Sequence, residues 1–194
     1  MKKFIFVLCC CLAVLACKPK KNDIKPIVKD LVVENLISID RQDMFTNYSE
    51  DYVWYETTIK LDNFMDSDST LTVANVTSVF QYLKDGQPRV VTFDHNPTGN
   101  WTYAVDGFWV EDEPMDSIVV TFTDALQKIM ETNYPKPHSR YCVLRKEVGA
   151  LDANPQYIFG NQSAQLYVDA MTGEVRDWNP AYPKDAKLSY AFSW

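Results

Sequence analysis

The spacing of apolar residues along the chain changes several times, and each change marks an element. Ile24, Ile27, Val28, Leu31, Asn35 and Leu36 recur at spacings of three and four, with Pro26 early enough for a first turn, which predicts an amphipathic helix. From Asp51 the period drops to two. Val53, Tyr55, Thr57, Ile59 and Leu61 then share one strand face, and Asp66-Ser67-Asp68-Ser69 ends the run in a polar loop. Thr72 to Leu83 is rich in β-branched and aromatic residues, and Lys84-Asp85-Gly86-Gln87 supplies an Asp-Gly turn into Arg89 to Phe93, the mark of a hairpin. Asn96-Pro97-Thr98-Gly99-Asn100 turns the chain again into Trp101 to Val110, so a meander of about four antiparallel strands is expected before Glu111-Asp112-Glu113-Pro114 breaks it.

The clearest helix follows, from Phe122 to about Asn133, with Phe122, Leu126, Ile129 and Met130 on one stripe. Thr121 and Asp124 stand three apart as in a capping box, with Val120 placed as a staple. Tyr134-Pro135-Lys136-Pro137 stops the helix. Tyr141 to Val148, Pro155 to Phe159 and Gln165 to Asp169 then read as strands. Asp169-Ala170-Met171-Thr172-Gly173 is a tight turn, because Asp169 can bond the backbone two residues on and Gly173 tolerates positive φ. Leu188, Tyr190, Phe192 and Trp194 alternate, which suggests a last strand.

The first residues are an address rather than fold. Met1-Lys2-Lys3 precedes an apolar run from Phe4 to Ala16, shorter than the ~20 residues of a membrane span, and the run reaches Cys17 through Val14-Leu15-Ala16. This resembles the signal of bacterial lipoproteins, in which cleavage before the cysteine leaves it carrying lipid. The resemblance implies a membrane anchor on Cys17 and residence in the cell envelope, most simply at the outer membrane. The chain then divides into a signal peptide (1–16), a lipidated tether (17–22), an N-terminal helix plus antiparallel sheet (23–115), a second helix plus meander (116–178) and a C-terminal strand or tail (179–194).

Charge and cysteine content narrow the chemistry. The full chain carries a formal net charge of −7, and losing Lys2 and Lys3 with the signal takes it two further, so nucleic acid is not an expected partner. Cys9, Cys10 and Cys11 leave with the signal and Cys17 takes lipid. Cys142 is then the one thiol left, expected to be a buried hydrophobe in Tyr141-Cys142-Val143-Leu144.

Thr121 to Val175 carries a further pattern: the helix Asp124-Ala125-Leu126 running into Asn133-Tyr134-Pro135, then strands, then Leu166-Tyr167-Val168-Asp169-Ala170-Met171-Thr172-Gly173-Glu174-Val175. This stretch resembles the PepSY family of small bacterial envelope modules, over about residues 117–178. The implied fold class is α+β, a helix packed on an antiparallel β-meander. The shared plan of the two halves allows two such units, as in the β-lactamase-inhibitor architecture. Asp51 to Val110 has no comparable closing phrase. The resemblance implies binding or restraint of a partner, such as a peptidase, rather than catalysis.

Residues that could carry chemistry are few. His95 in Phe93-Asp94-His95-Asn96 and His138 in Pro137-His138-Ser139-Arg140 have no nucleophile motif around them and are expected to be solvated turn residues. Asp62, Asp66 and Asp68 lack the glycine and closing glutamate of a calcium loop, and one thiol with two separated histidines is too few ligands for zinc. No metal and no cofactor are expected. Surfaces remain: Phe108-Trp109 and Trp178 to Tyr182 could anchor a partner, so Phe108, Trp109, Trp178 and Tyr182 form the candidate binding surface, with core or edge packing as the alternative. The expected function is that of an anchored, non-catalytic module that binds or inhibits an envelope protein or peptide. A glycan or peptidoglycan binder is the second expectation, and a hydrolase using His95 or His138 a remote third.

Overall fold

In the computed structural model the described residues are 32–148, 153–161 and 164–180. Cys17, Tyr182, the helical positions Ile24, Ile27, Val28 and Leu31, and the alternation Leu188 to Trp194 lie outside them.

The alternating stretches fold into strands β1 (Tyr52–Leu61), β2 (Val73–Lys84), β3 (Gln87–Asn96), β4 (Gly99–Asp106), β5 (Asp112–Glu113), β6 (Tyr141–Glu147), β7 (Gln156–Asn161), β8 (Ala164–Asp169) and β9 (Val175–Arg176). The β2–β3 turn has φ of 52° at Asp85 and 76° at Gly86. Two successive left-handed residues form the turn whose twist matches that of the flanking strands, which is why Asp-Gly sits there. At the far end of β3, Asn96 Oδ1 accepts from the Thr98 N–H at 2.9 Å and folds the chain into β4.

All pairings are antiparallel, in the order β4-β3-β2-β1-β6-β7-β8-β9, with β5 paired to β6 off this path. β1 and β6 join the two halves in the middle, from Glu56↔Arg145 to Lys60↔Tyr141. Beyond Glu56 and Arg145 they part, and β5 fills the gap. Asp112 and Glu113 pair with Glu147 and Lys146, and the Met115 N–H donates to Trp54 O at 2.8 Å. The expected break at Glu111 to Pro114 is thus a short wedge strand.

Two short helices lie on one face of this sheet. In α1 (Val33–Asp43), Val33, Ile37 and Asp40 are buried, and a π-helical turn, Met44–Tyr48, follows with Met44 buried. α2 (Phe122–Glu131) buries Phe122, Ala125, Leu126 and Ile129; Thr121 Oγ1 accepts from the Asp124 N–H at 3.1 Å, as the capping pattern predicts. At its other end Lys136 Nζ donates to Thr132 O at 2.7 Å, satisfying a carbonyl the last turn leaves free. Both helices share one core with Ile59, Leu61, Phe80, Phe93, Leu144, Tyr157, Phe159 and Val168 of the sheet. Burying each such side chain contributes ~1.5–3 kcal/mol. No helix among the described residues is long and apolar enough to cross a membrane.

The expected α+β class is corrected. A nine-stranded antiparallel sheet dominates, and helices of 11 and 10 residues are accessories to it. The physical reason is the β1–β6 ladder, which fuses the strands of both halves into one sheet instead of leaving each helix with its own meander. A second correction concerns β1, where the register shifts between Trp54 and Glu56. The extra residue turns Trp54 into the core, 2% exposed, so Val53 and Tyr55 do not share the face of Thr57, Ile59 and Leu61.

Candidate functional site

The face of the sheet away from the helices is open at one side. β4 is the outermost strand on that side, and its residues from Asn100 to Asp106 are all exposed. Trp101, Tyr103 and Val105 are 64%, 56% and 52% exposed. They stand opposite Asp94, Thr92 and Val90 of β3, on the face away from the core, whereas Val91 and Phe93 point into it. The Gly107 N–H donates to Pro88 O at 3.0 Å. Counting back by twos, Val105, Tyr103 and Trp101 also bond toward β3, so the backbone groups of Asn100, Thr102, Ala104 and Asp106 face away from the sheet. The result is an eight-residue edge without lysine or proline, edged by an aromatic row.

The loop after β4 folds back over this face. Phe108 is 67% exposed. Trp109 is half-buried: its backbone N–H donates to Gln81 Oε1 at 2.7 Å and its indole Nε1 to Asp112 Oδ2 at 3.0 Å. Trp178 is also half-buried, with the Arg176 guanidinium 5.4 Å from its ring centroid. Its neighbour Asn179 donates to Glu147 Oε2 at 2.6 Å. Trp109 through Asp112, and Trp178 through Asn179, therefore converge on the end of β6, where Asp112 is the register partner of Glu147. The structure brings these two predicted neighbourhoods together, but it commits the Trp109 indole to a buried carboxylate and leaves Phe108 as the projecting ring.

The wedge itself is a charge cluster. Arg145 Nε lies 3.6 Å from Asp112 Oδ1, and Arg145 Nη2 lies 3.0 Å from Glu147 Oε1. Burial pushes the Asp112 carboxyl up to about 7, and the nearby Glu56 adds to the rise; the Trp109 indole and the Arg145 charge oppose it.

A second buried pair lies under α1. His95 Nε2 is 2.6 Å from Asp40 Oδ1, and both residues are buried. Burial raises the Asp40 carboxyl above the ordinary range, against the pull of His95 and of Ser78. A polar chain continues from there, with Thr57 Oγ1 donating to Ser78 Oγ at 3.3 Å and Trp54 Nε1 to Thr57 Oγ1 at 3.1 Å. The expectation of a solvated His95 is corrected, because the alternation Val91, Phe93, His95 carries its ring inward beneath Asp40. That alternation was the available signal, and the second was Asp40 at helical spacing from Val33 and Ile37. The pair locks α1 to β3 and is closed to solvent, so it has no access to a substrate.

His138 is exposed, stacked on Phe64 at 4.1 Å between centroids, with Nδ1 3.0 Å from Asp66 Oδ2. Cys142 is buried, and burial pushes its thiol well up, away from the thiolate needed for nucleophilic chemistry. Among the described residues no three His, Cys, Asp or Glu side chains converge to hold a metal ion. Comparison with family models, with curated proteins and with solved structures finds no match to this chain.

Proposed function

We propose that the chain is a non-catalytic binding module of the bacterial cell envelope, tethered by lipid on Cys17, that takes an extended segment of another exported protein or peptide onto β4. The observation that carries this reading is the edge itself. Thr102 and Ala104 present backbone donors and acceptors away from the sheet, beside Trp101, Tyr103 and Val105 exposed on one face. An added strand would gain ladder hydrogen bonds from the edge and side-chain contacts from the row. The PepSY-like phrase Leu166 to Val175 favours the same reading, restraint of a partner rather than chemistry.

The test is a photo-cross-linking residue at Tyr103 in envelope membranes, with Ser69 in the polar loop as the control position. A discrete adduct is expected at Tyr103 and none at Ser69. Thr102→Pro removes an outward N–H without breaking a β3–β4 bond and is expected to abolish the adduct. Equal adducts at both positions, or an adduct indifferent to Thr102→Pro, would sink the proposal. A glycan-binding reading rests on Trp101 and Tyr103, exposed two residues apart on one face. It predicts glycan retention that survives Thr102→Pro and fails in Trp101→Ala.

A further inference from the structure

After β5 the chain passes around the end of the sheet to the helix side and forms a strap, Ser117 to Thr121, before α2. The N–H groups of Val119 and Val120 both donate to Ala170 O, at 3.0 and 2.9 Å, which pins the strap against the β8 side. Between strap and α1 lies a cleft of about 520 Å³, with Trp54 and Tyr52 of β1, Phe45 of the π-helical turn and Ile118 of the strap among its walls. That volume lies within the usual range for small-molecule sites.

One cation is held in this cleft. Arg41 Nε donates to the Tyr52 hydroxyl at 3.2 Å, and its guanidinium sits 5.8 Å from the Trp54 ring centroid. These contacts orient the fork and leave its terminal nitrogens available. No carboxylate among the described residues pairs with Arg41. The acid that lines the cleft, Glu34, lies seven residues away on α1, about 10 Å along the helix axis. Its Oε1 accepts from the Phe122 N–H at 2.6 Å, at the α2 N-terminus, where the helix dipole answers its charge.

We infer that this cleft binds a small carboxylate carried on an apolar or aromatic body. The carboxylate takes the oriented guanidinium, which matches its two oxygens, and the body lies against Trp54, Phe45 and Ile118. One guanidinium balances one negative charge, so a carboxylate fits where a phosphate dianion would leave charge uncompensated in an apolar site. This site lies on the helix side of the sheet and does not depend on the β4 proposal.

Titration calorimetry of the full chain in non-ionic detergent with 3-phenylpropionate and with N-acetyl-L-phenylalanine, each against its primary amide, tests the inference. At least one acid is expected to bind tenfold or more tighter than its amide. Binding of both acids assigns the cleft to free small acids, and binding of the acetylated one alone assigns it to the carboxyl end of a peptide. Arg41→Gln is expected to erase the preference for acid over amide. Ser38→Trp, which fills the cleft from an exposed position on α1, is expected to abolish binding without shifting the thermal midpoint. Equal binding of acid and amide, no heat from any probe, or a preference that persists in Arg41→Gln would overturn the inference.

Discussion

Asp112 and Trp109 meet across a 3.0 Å hydrogen bond where β1 and β6 part, and that bond closes the outer side of the wedge over a carboxylate. Burial has raised that carboxyl to about 7 from an ordinary 3.8. Over the interval between those values the folded chain holds a proton that the unfolded chain has released. Stability is therefore full below the unfolded value and is lost as pH rises through the folded one. Urea unfolding from about pH 4 to about pH 8 is expected to show the stability difference between the wild-type chain and Asp112→Asn moving by on the order of 2–4 kcal/mol, to the disadvantage of the wild type at high pH. A difference constant across that range would exclude Asp112 as the titrating group.

The Asp40 and His95 pair makes a different prediction, because each partner is buried and each depends on the other. His95→Leu leaves an unpaired carboxyl under α1 and is expected to cost about 3–5 kcal/mol in denaturant unfolding. Combining it with Asp40→Leu removes the stranded polar group and should recover a large part of that loss. If the two single changes add, the contact at 2.6 Å contributes no coupling.

Local signals in the sequence reached local structure and stopped there. The Asp85-Gly86 hairpin, the Thr121 cap and the Asp169 turn were legible, since each is decided within five residues. Asp169 Oδ1 does accept from the Met171 and Thr172 N–H groups, and Gly173 has a φ of 75°. Burial alone would raise the Asp169 carboxyl, yet those bonds and Asn154 hold it below its ordinary value. What stayed hidden was non-local. Glu56 pairs with Arg145 across most of the described chain, and nothing in either strand announces the other. That pairing makes one β-dominated sheet of what local patterns present as two helix-plus-meander units. The expected stripe of the first helix places Asn35 inward, whereas Asn35 is exposed and α1 buries Val33, Ile37 and Asp40. An aspartate at a core position is tolerable only because of its partner on β3. The β4 row lies within the strand expected from Trp101 onward, but its position at an edge follows from the strand order alone.

Gly160 tests the β7–β8 connection. Its φ is 127°, and a Cβ added there would collide with the backbone carbonyl oxygen of Ala164. The obstruction is backbone, so it cannot rotate away. Gly160→Ala is expected to destabilise the chain by about 2–4 kcal/mol, more than helix or strand propensity accounts for. Gly86→Ala in the β2–β3 turn meets no neighbour and carries only the strain of its positive φ, so it is expected to cost less, about 1 kcal/mol. Thermal unfolding of the two variants side by side checks the order.

The N-terminus of α2 is capped twice, once from within and once from the other half of the chain. Thr121 Oγ1 takes the Asp124 N–H, and Glu34 Oε1, from α1, takes the Phe122 N–H at 2.6 Å. A local cap stabilises the helix alone, whereas the bond from Glu34 holds α2 against α1. Thr121→Ala is expected to cost about 1 kcal/mol. Glu34→Ala removes a charged acceptor and should cost about 1.5–3 kcal/mol. The two bonds serve different amides, so the losses should add in the double variant. Hydrogen exchange separates their roles: Thr121→Ala is expected to speed exchange within the first turn of α2, and Glu34→Ala to speed it in α1 as well. Confinement of the Glu34→Ala effect to α2 would show that the bond is only a cap and does not join the two helices.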